Sequence, residues 1–457
     1  MQAFVRWRPL SSSESPNTEI ERSSTLQDNS RFSTSIVCQS SPSRDRSWNS
    51  SNCFSRIFEA SDGNRKVFET VVEPTLPQVL SGGTCNFFAY GHSGSGKTHT
   101  IIGYDYENPD QFGLCLAAAY SLYGTLEDLN AAQKPNGEIK KEGNMLGIGI
   151  RMYEMRKNTA FDLLNERREC YVREGPDGRV HIRGETEMLE GGKVRVRPVV
   201  TRACWNFDDL RRELQVGLQL RATGSSTVHD QSSRTHAVLE LEIVTKSLLD
   251  ARDAVIERES EFVPVAKRAT DVYLEESANA YIKTPEGKYV VNPDCPPDQE
   301  RIDAAEKEKE KFESYVKQAE AHAREIFESH SQKCLGGKLV FVDLAGSEYY
   351  HGKATSSSFA AKMTPQERQE GRQINTDLLA LKEVIRARAL NHTRIPFRSS
   401  PLTMVLREHF SASTNSQSAM ILTVSPSSEQ FAATMNTLKY GNLVGVAGGE
   451  TATALKK

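Results

Sequence analysis

With 457 residues and a formal net charge of −3, the chain has no global attraction to nucleic acid or to an acidic partner, so any such contact needs a local patch. Its eight cysteines are scattered without a C-x-x-C pair or metal-ligand spacing, which predicts reduced structural thiols in a cytosolic protein. The N-terminus lacks a signal-type apolar region and no 18-residue apolar run occurs, so a soluble intracellular protein without membrane insertion is expected.

In chain order, MQAFVRWRPL opens with a strand-like run from about residue 3. Residues 11–50, rich in Ser, Asn and Arg, read as surface loop with a short strand or two at most. Thr84 to Tyr90 (TCNFFAY) reads as a buried strand that runs directly into GHSGSGKTHT. A glycine, four residues, then Gly-Lys-Thr is the phosphate-binding-loop pattern, in which backbone N–H groups wrap a polyphosphate. Gly91, His92, Ser93, Gly94, Ser95 and Gly96 would form the cradle, Lys97 would reach the outer phosphates, and the Thr98 hydroxyl would hold Mg2+. A Gly/Ser surface turn would account for the glycines alone, but not for the strand before them and the helix after.

Beyond the loop, strands and helices alternate to about residue 245, with LGIGIRMYEM, RVHIRG and HAVLELEIV as strands and FDDLRRELQVGLQLRA as a helix. That alternation predicts an α/β fold: a P-loop NTPase with a central, mostly parallel twisted sheet flanked by helices on both faces. From Lys246 to Gly336 charged residues dominate, and Asp298 to Gln332 has strong helical propensity behind Pro296-Pro297. Phe312, Val316, Ala319, Ala323 and Ile326 make one narrow apolar stripe on it, read either as light packing on the chain's own domain or as a partner or coiled-coil seam. The organisation expected is a domain in two parts, 1–246 and 336–446, around a charged insertion at 247–335 that projects as a hairpin-like excursion, with a short tail at 447–457.

After the insertion, Leu339 to Val342 read as a buried strand ending in Asp343, the position for a second metal-site carboxylate. A machine driven by hydrolysis also needs elements that feel the γ-phosphate. DLAGSE offers the Gly346 backbone N–H at close range, and QSSRTH offers hydroxyls at Ser232 and Ser233, with Arg234 placed to pair with Glu348.

GHSGSGKTHT, QSSRTH, DLAGSE and RWRP together resemble the four nucleotide-site motifs of kinesin motor domains, and the similarity continues through INTDLLALKEVIRA, TRIPFRSSPLTMVL and MNTLKYGN, over roughly residues 3–246 and 336–445. The resemblance implies ATP and Mg2+ as cofactors and microtubules as the partner of a cytoskeletal, cytoplasmic ATPase. It places Arg6, Arg8 and Pro9 along adenine and ribose and His99 on the adenine's other face. Ser232 and Ser233 become the first switch, with Ser233 on Mg2+; Arg234 and Glu348 become the closing ion pair, Asp343 a water-mediated Mg2+ contact and Gly346 the γ-phosphate reporter.

For the microtubule face, the resemblance singles out the cation-rich span from Lys382 to Arg407: Lys382, Arg386, Arg388, Arg394, Arg398 and Arg407, on a helix whose buried stripe is Ile374, Leu378, Leu381 and Ile385. The C-terminal half is most similar to the internal-motor class, which removes tubulin from filament ends, although the Lys-Val-Asp tripeptide and basic neck of that class are not found in this chain. His229 stands where most kinesins have Asn, and His92 where Gln is usual. Past Tyr440 no long coiled-coil pattern follows, so processive walking by a dimer is not expected, and oligomeric state is left open. Two readings remain: a motor ATPase coupling hydrolysis to force or filament remodelling, and a non-motile microtubule-associated nucleotide binder with weak turnover. An unrelated phosphate-loop NTPase is a third, disfavoured by the combined motifs.

Overall fold

A computed structural model describes residues 1–12, 14, 19–27, 31–39, 46–132, 142–175, 178–222, 234–283, 285, 287–347, 365–390, 392–410 and 416–454. Its strands are β1 (Gln2–Trp7), β2 (Glu21–Gln27), β3 (Arg31–Val37), β4 (Ser47–Asn49), β5 (Arg56–Phe58), β6 (Thr84–Tyr90), β7 (Gly147–Arg156), β8 (Thr159–Asp162), β9 (Arg168–Glu174), β10 (Val180–Met188), β11 (Val194–Pro198), β12 (Arg202–Cys204), β13 (His236–Val244), β14 (Tyr281–Lys283), β15 (Tyr289–Val291), β16 (Lys338–Asp343) and β17 (Ser416–Val424). The helices are α1 (Asn64–Val71), α2 (Leu76–Val79), α3 (Lys97–Ile101), α4 (Leu114–Ala132), α5 (Phe207–Ala222), α6 (Lys246–Ala280), α7 (Gln299–Ser329), α8 (Pro365–Ala389), α9 (Pro401–Val405), α10 (Arg407–Phe410) and α11 (Phe431–Ala454).

The main sheet runs β11-β10-β9-β8-β7-β13-β16-β6-β17-β1-β5, with β12 alongside β7. Around the phosphate loop, β16, β6, β17, β1 and β5 pair in parallel, and their apolar runs are buried on both faces, as parallel strands between helix layers must be. From β13 outwards the pairing is antiparallel, so the parallel centre carries an antiparallel wing. One face packs its core against α1, α4 and α5; the other buries Ile374, Leu378, Leu381 and Ile385 of α8 together with Phe410, Phe431 and Leu438. No helix among the described residues is long and apolar enough to cross a membrane.

Two stretches differ from the sequence expectation. Within residues 11–50 a three-stranded antiparallel sheet, β2-β3-β4, forms where a strand or two was expected. Its anchors are few, Ile36 being fully buried and Thr34 nearly so, and the Ser and Thr around them mask the period-two pattern. The insertion contains a second long helix, α6, which the Pro264 in its middle hides from a propensity reading. Thr245 caps α6, its hydroxyl accepting from the Leu248 N–H, and Asp298 caps α7 by accepting from Arg301 N–H.

The insertion leaves the sheet between β13 and β16, which are hydrogen-bonded neighbours, and α6 and α7 pack along each other. The stripe on α7, Phe312, Val316, Ala319, Ala323 and Ile326, is half-buried. The first half of α6 lies on the sheet: Arg252 grips Glu242 of β13 through two bonds of 2.9 and 3.1 Å, and Lys193 beside β11 meets Glu261 at 3.0 Å, while Arg195 of β11 meets Glu257 at 2.5 Å. Burial alone would raise the Glu242 carboxyl; Lys338 and then Arg252 outweigh it and hold it down to about 2. Replacing Arg252 by Ala therefore strands a buried carboxylate and is expected to cost about 2 kcal/mol in urea unfolding, whereas the paired change Glu242→Leu with Arg252→Leu should recover most of that loss.

Candidate functional site

The turn after β6 follows from its glycines. Gly94 and Gly96 sit at φ of +74° and +101°, which L side chains rarely adopt, and this curls the loop so that Lys97 opens α3. Ser95 is tied to Thr423 at the end of β17, hydroxyl to hydroxyl at 2.7 Å. Lys97 is buried, its ammonium donating to the carbonyl oxygens of Gly91 (3.1 Å) and His92 (2.8 Å) across the mouth of the loop. Burial lowers it to about 8, with Asp343 pulling the other way.

Beside the loop, Asp343 ends β16 and its Oδ2 accepts from the Thr98 hydroxyl at 2.8 Å and from Arg221 at 2.8 Å. Arg221, in the last turn of α5, also donates to the Thr235 carbonyl at 3.3 Å. Thus the carboxylate and hydroxyl singled out for Mg2+ are in contact, and an arginine absent from the sequence reading joins them. In the sequence Arg221 looks like an ordinary helix-terminal cation.

The segment after Asp343 folds onto the loop. Ser347 N–H donates to the Gly91 carbonyl at 3.2 Å, and a parallel bridge joins His92 to Ser347. A Cβ on Gly346 would lie 2.7 Å from the Ser93 nitrogen, so only glycine fits this close approach. The Ala345 N–H donates to Nδ1 of His236 at 3.0 Å, leaving Nε2 of that neutral ring to carry the proton. His92 is the opposite tautomer, because its Nδ1 faces the Ser93 carbonyl at 2.7 Å.

Five buried polar atoms around this pocket have no partner among the described residues: Asp343 Oδ1, Thr235 Oγ1, His236 Nε2, Ser347 Oγ and His92 Nε2. Buried polar atoms in folded proteins are as a rule satisfied, and more than half of those left unpartnered among the described residues gather at the loop, which fits a polar ligand with an ion and its waters. The residues present therefore suit a nucleotide polyphosphate with Mg2+: an N–H-lined loop and Lys97 for phosphate, and Thr98 with Asp343 for the ion.

At the far end of the pocket, Arg6 is buried and donates to Asn64 Oδ1 (2.7 Å) and Thr100 Oγ1 (2.8 Å), bracing α3. Arg8 forms a two-pronged pair with Glu14, at 2.6 and 2.7 Å, and donates to the Pro9 carbonyl at 2.8 Å. The rings of His99 and Tyr104 face each other at 5.6 Å. Arg234 opens the approach to β13. Ser232, Ser233, His229 and Glu348 lie outside the described residues, so the switch serines and the Arg234–Glu348 pair stay expectations.

The six cations from Lys382 to Arg407 do not form one uniform patch. Arg386 and Arg394 are exposed and Lys382 is half-buried. Arg388 lies over the Phe410 ring at 5.9 Å, and Arg398 and Arg407 both bind Glu174 of β9, at 2.8 and 3.2 Å. Glu174 thus ties the α8–α10 region to the antiparallel wing.

A family model described as kinesin motor domain matches residues 6–265 and 312–445. The human protein "Kinesin-like protein KIF24" is 26% identical over 391 residues, covering 86% of this chain and 20% of that protein. The rice protein "Kinesin-like protein KIN-13A" is 28% identical over 392 residues, covering 86% of this chain and 34% of that protein. The chain thus spans about a fifth to a third of the length of these curated relatives. A chain from crystal structures of mutants that reveal a signalling pathway for activation of the kinesin motor ATPase superposes with a TM-score of 0.57 at 19% identity, covering 97% of this chain and 99% of that one.

Burial lowers His92 to about 4 and His236 to about 3. Between pH 6.5 and those values the unfolded chain takes up protons that the folded chain refuses, so stability is complete above pH 6.5 and falls as the pH drops. His92→Gln is expected to remove about 2 kcal/mol of the stability lost between pH 7 and pH 5. Urea unfolding of the nucleotide-free protein at the two pH values measures it.

Proposed function

The chain belongs to the kinesin motor-domain family, a family of P-loop ATPase domains, and on that premise we propose that it binds microtubules and couples Mg-ATP hydrolysis to force or to filament remodelling. The observation that carries this reading is the Thr98–Asp343–Arg221 contact beside a phosphate loop where five buried polar atoms lack partners among the described residues. Mg2+, held by Thr98 with Asp343 in support, would neutralise charge on the transferred phosphoryl group. The chain's own residues do the rest by position. Lys97 would exchange its loop carbonyls for phosphate oxygens, Gly346, packed against Ser93 of the loop, would offer its N–H to the outermost phosphate, and by the kinesin resemblance Ser233 and an Arg234–Glu348 pair would close the site. Arg6 holds α3 in register, and Arg8, Pro9 and His99 border the adenine end.

The microtubule-facing surface is assigned to Lys382, Arg386 and Arg394 in the first place, because Arg398 and Arg407 already share Glu174 and Arg388 rests on Phe410. The resemblance of the C-terminal half to the internal-motor class favours remodelling of filament ends over translocation within this reading. The alternative, a nucleotide-holding microtubule binder with weak turnover, rests on His229 in the first switch.

Steady-state ATPase with and without stabilised microtubules, with filament length followed by microscopy, decides between them. Stimulated turnover with shortening filaments supports remodelling; no stimulation despite ATP binding sinks the motor reading. Lys97→Ala should lower stimulated turnover about 100-fold or more, since a preorganised cation on the transferred group is lost. Arg386→Glu combined with Arg394→Glu should raise the half-saturating microtubule concentration about tenfold, with a weaker salt dependence and unchanged basal turnover.

A further inference from the structure

Where α6 lies on the antiparallel wing, it roofs a cavity of about 750 Å³. Its floor is a row across the sheet, Arg151 and Tyr153 on β7, Glu240 on β13 and Lys338 at the start of β16. Val194 and Val196 of β11 and Ile182 of β10 form one wall, and Ile256 and Val263 of α6 close it from above. Lys338 and Asp343 lie at opposite ends of β16, about 17 Å apart at strand rise, so this cavity is separate from the phosphate loop.

The charges within it are unevenly committed. Glu240 accepts from the Tyr153 hydroxyl at 3.4 Å and has Arg151 and His409 each at 3.9 Å. Arg151 is further held by a 2.6 Å bond to Thr201. Lys338 lies in the field of Glu240 and Glu242, and Arg183 of β10 in that of Glu259, but neither cation makes a hydrogen bond among the described residues. The cavity therefore presents two cations without a hydrogen bond among the described residues, Lys338 on the floor and Arg183 at the aliphatic wall, beside branched aliphatic side chains and the carboxylates of Glu240, Glu259 and Glu408, and so can take a ligand with a charged head and an apolar body.

We propose that this cavity binds a small amphipathic anion, an aromatic or branched aliphatic body bearing a carboxylate or sulfonate that is drawn by the positive field of Lys338 and Arg183. Such a ligand touches α6 and the wing at once, and so fastens the insertion to the motor core.

The probe is 8-anilinonaphthalene-1-sulfonate, titrated into the full chain with its blue-shifted emission as readout, in the presence and absence of Mg-ADP. Saturable binding that Mg-ADP does not displace is expected. Lys338→Gln and Arg183→Gln should each weaken it about tenfold, as for one lost charge-assisted hydrogen bond, and the uncharged N-phenyl-1-naphthylamine should bind correspondingly less well. Val194→Trp, which fills the cavity from a half-exposed edge position, should abolish it while circular dichroism stays unchanged. Absence of saturable binding, displacement by Mg-ADP, or equal affinity in Arg183→Gln and Val194→Trp would overturn the proposal.

Discussion

The carboxylate of Asp343 is the constraint on which the rest of the site depends. It is almost wholly buried, at the carboxyl end of a central strand, and one oxygen receives both Thr98 from the loop helix and Arg221 from α5. A buried charge is tolerated only when paired and hydrogen-bonded, so three elements that are distant in sequence must meet here. The β6–β16 parallel pairing places the carboxylate beside the loop, and the chain beyond it folds back so that Gly346 and Ser347 touch residues 91–93. Loop, carboxylate and sensing segment thus behave as one mechanical unit, in which displacement of any member is felt by the others.

What could be read in advance follows how local the signal was. β6, α5, β13 and β16 are recognisable because an apolar period or run coincides with the element, and the phosphate loop because its glycines and lysine act through the backbone at fixed spacing. Arg221, Thr235 and His236 were not picked out as site residues, since each becomes informative only when α5, β13 and β16 converge. The cations of the α8–α10 region show the reverse error. Charge counting treats six side chains alike, while folding brings Glu174 from a strand far back in the sequence to neutralise two of them. The small sheet β2-β3-β4 and the helix α6 escaped because Ser-rich strands and a proline inside a helix both contradict propensity, and packing overrides it.

The insertion is not independent of the motor core. Arg252, Glu257 and Glu261 on α6 each find an opposite charge on β13, on β11 or just before it, and Glu257 and Glu261, one turn apart, share a face. Beyond Pro264 the ion pairs of α6 among the described residues run instead to α7, as with Arg268 and Glu308 at 3.8 Å, and to the start of α7, where Arg301 meets Glu275 and Glu276. The proline therefore separates a half whose ion pairs run to the sheet from a half whose ion pairs run to its partner helix.

Because β13 and β16 are antiparallel neighbours, the two ends of residues 245–337 leave the sheet roughly 5 Å apart, the spacing of adjacent strands. In chain-entropy terms the whole segment is a hairpin loop, and lengthening a loop from about ten residues to about ninety costs only about 2 kcal/mol. The sheet thus sets almost no limit on how much sequence this junction can carry. Here the chain carries an entire helical hairpin at this junction while β13 and β16 keep unbroken register on either side of it.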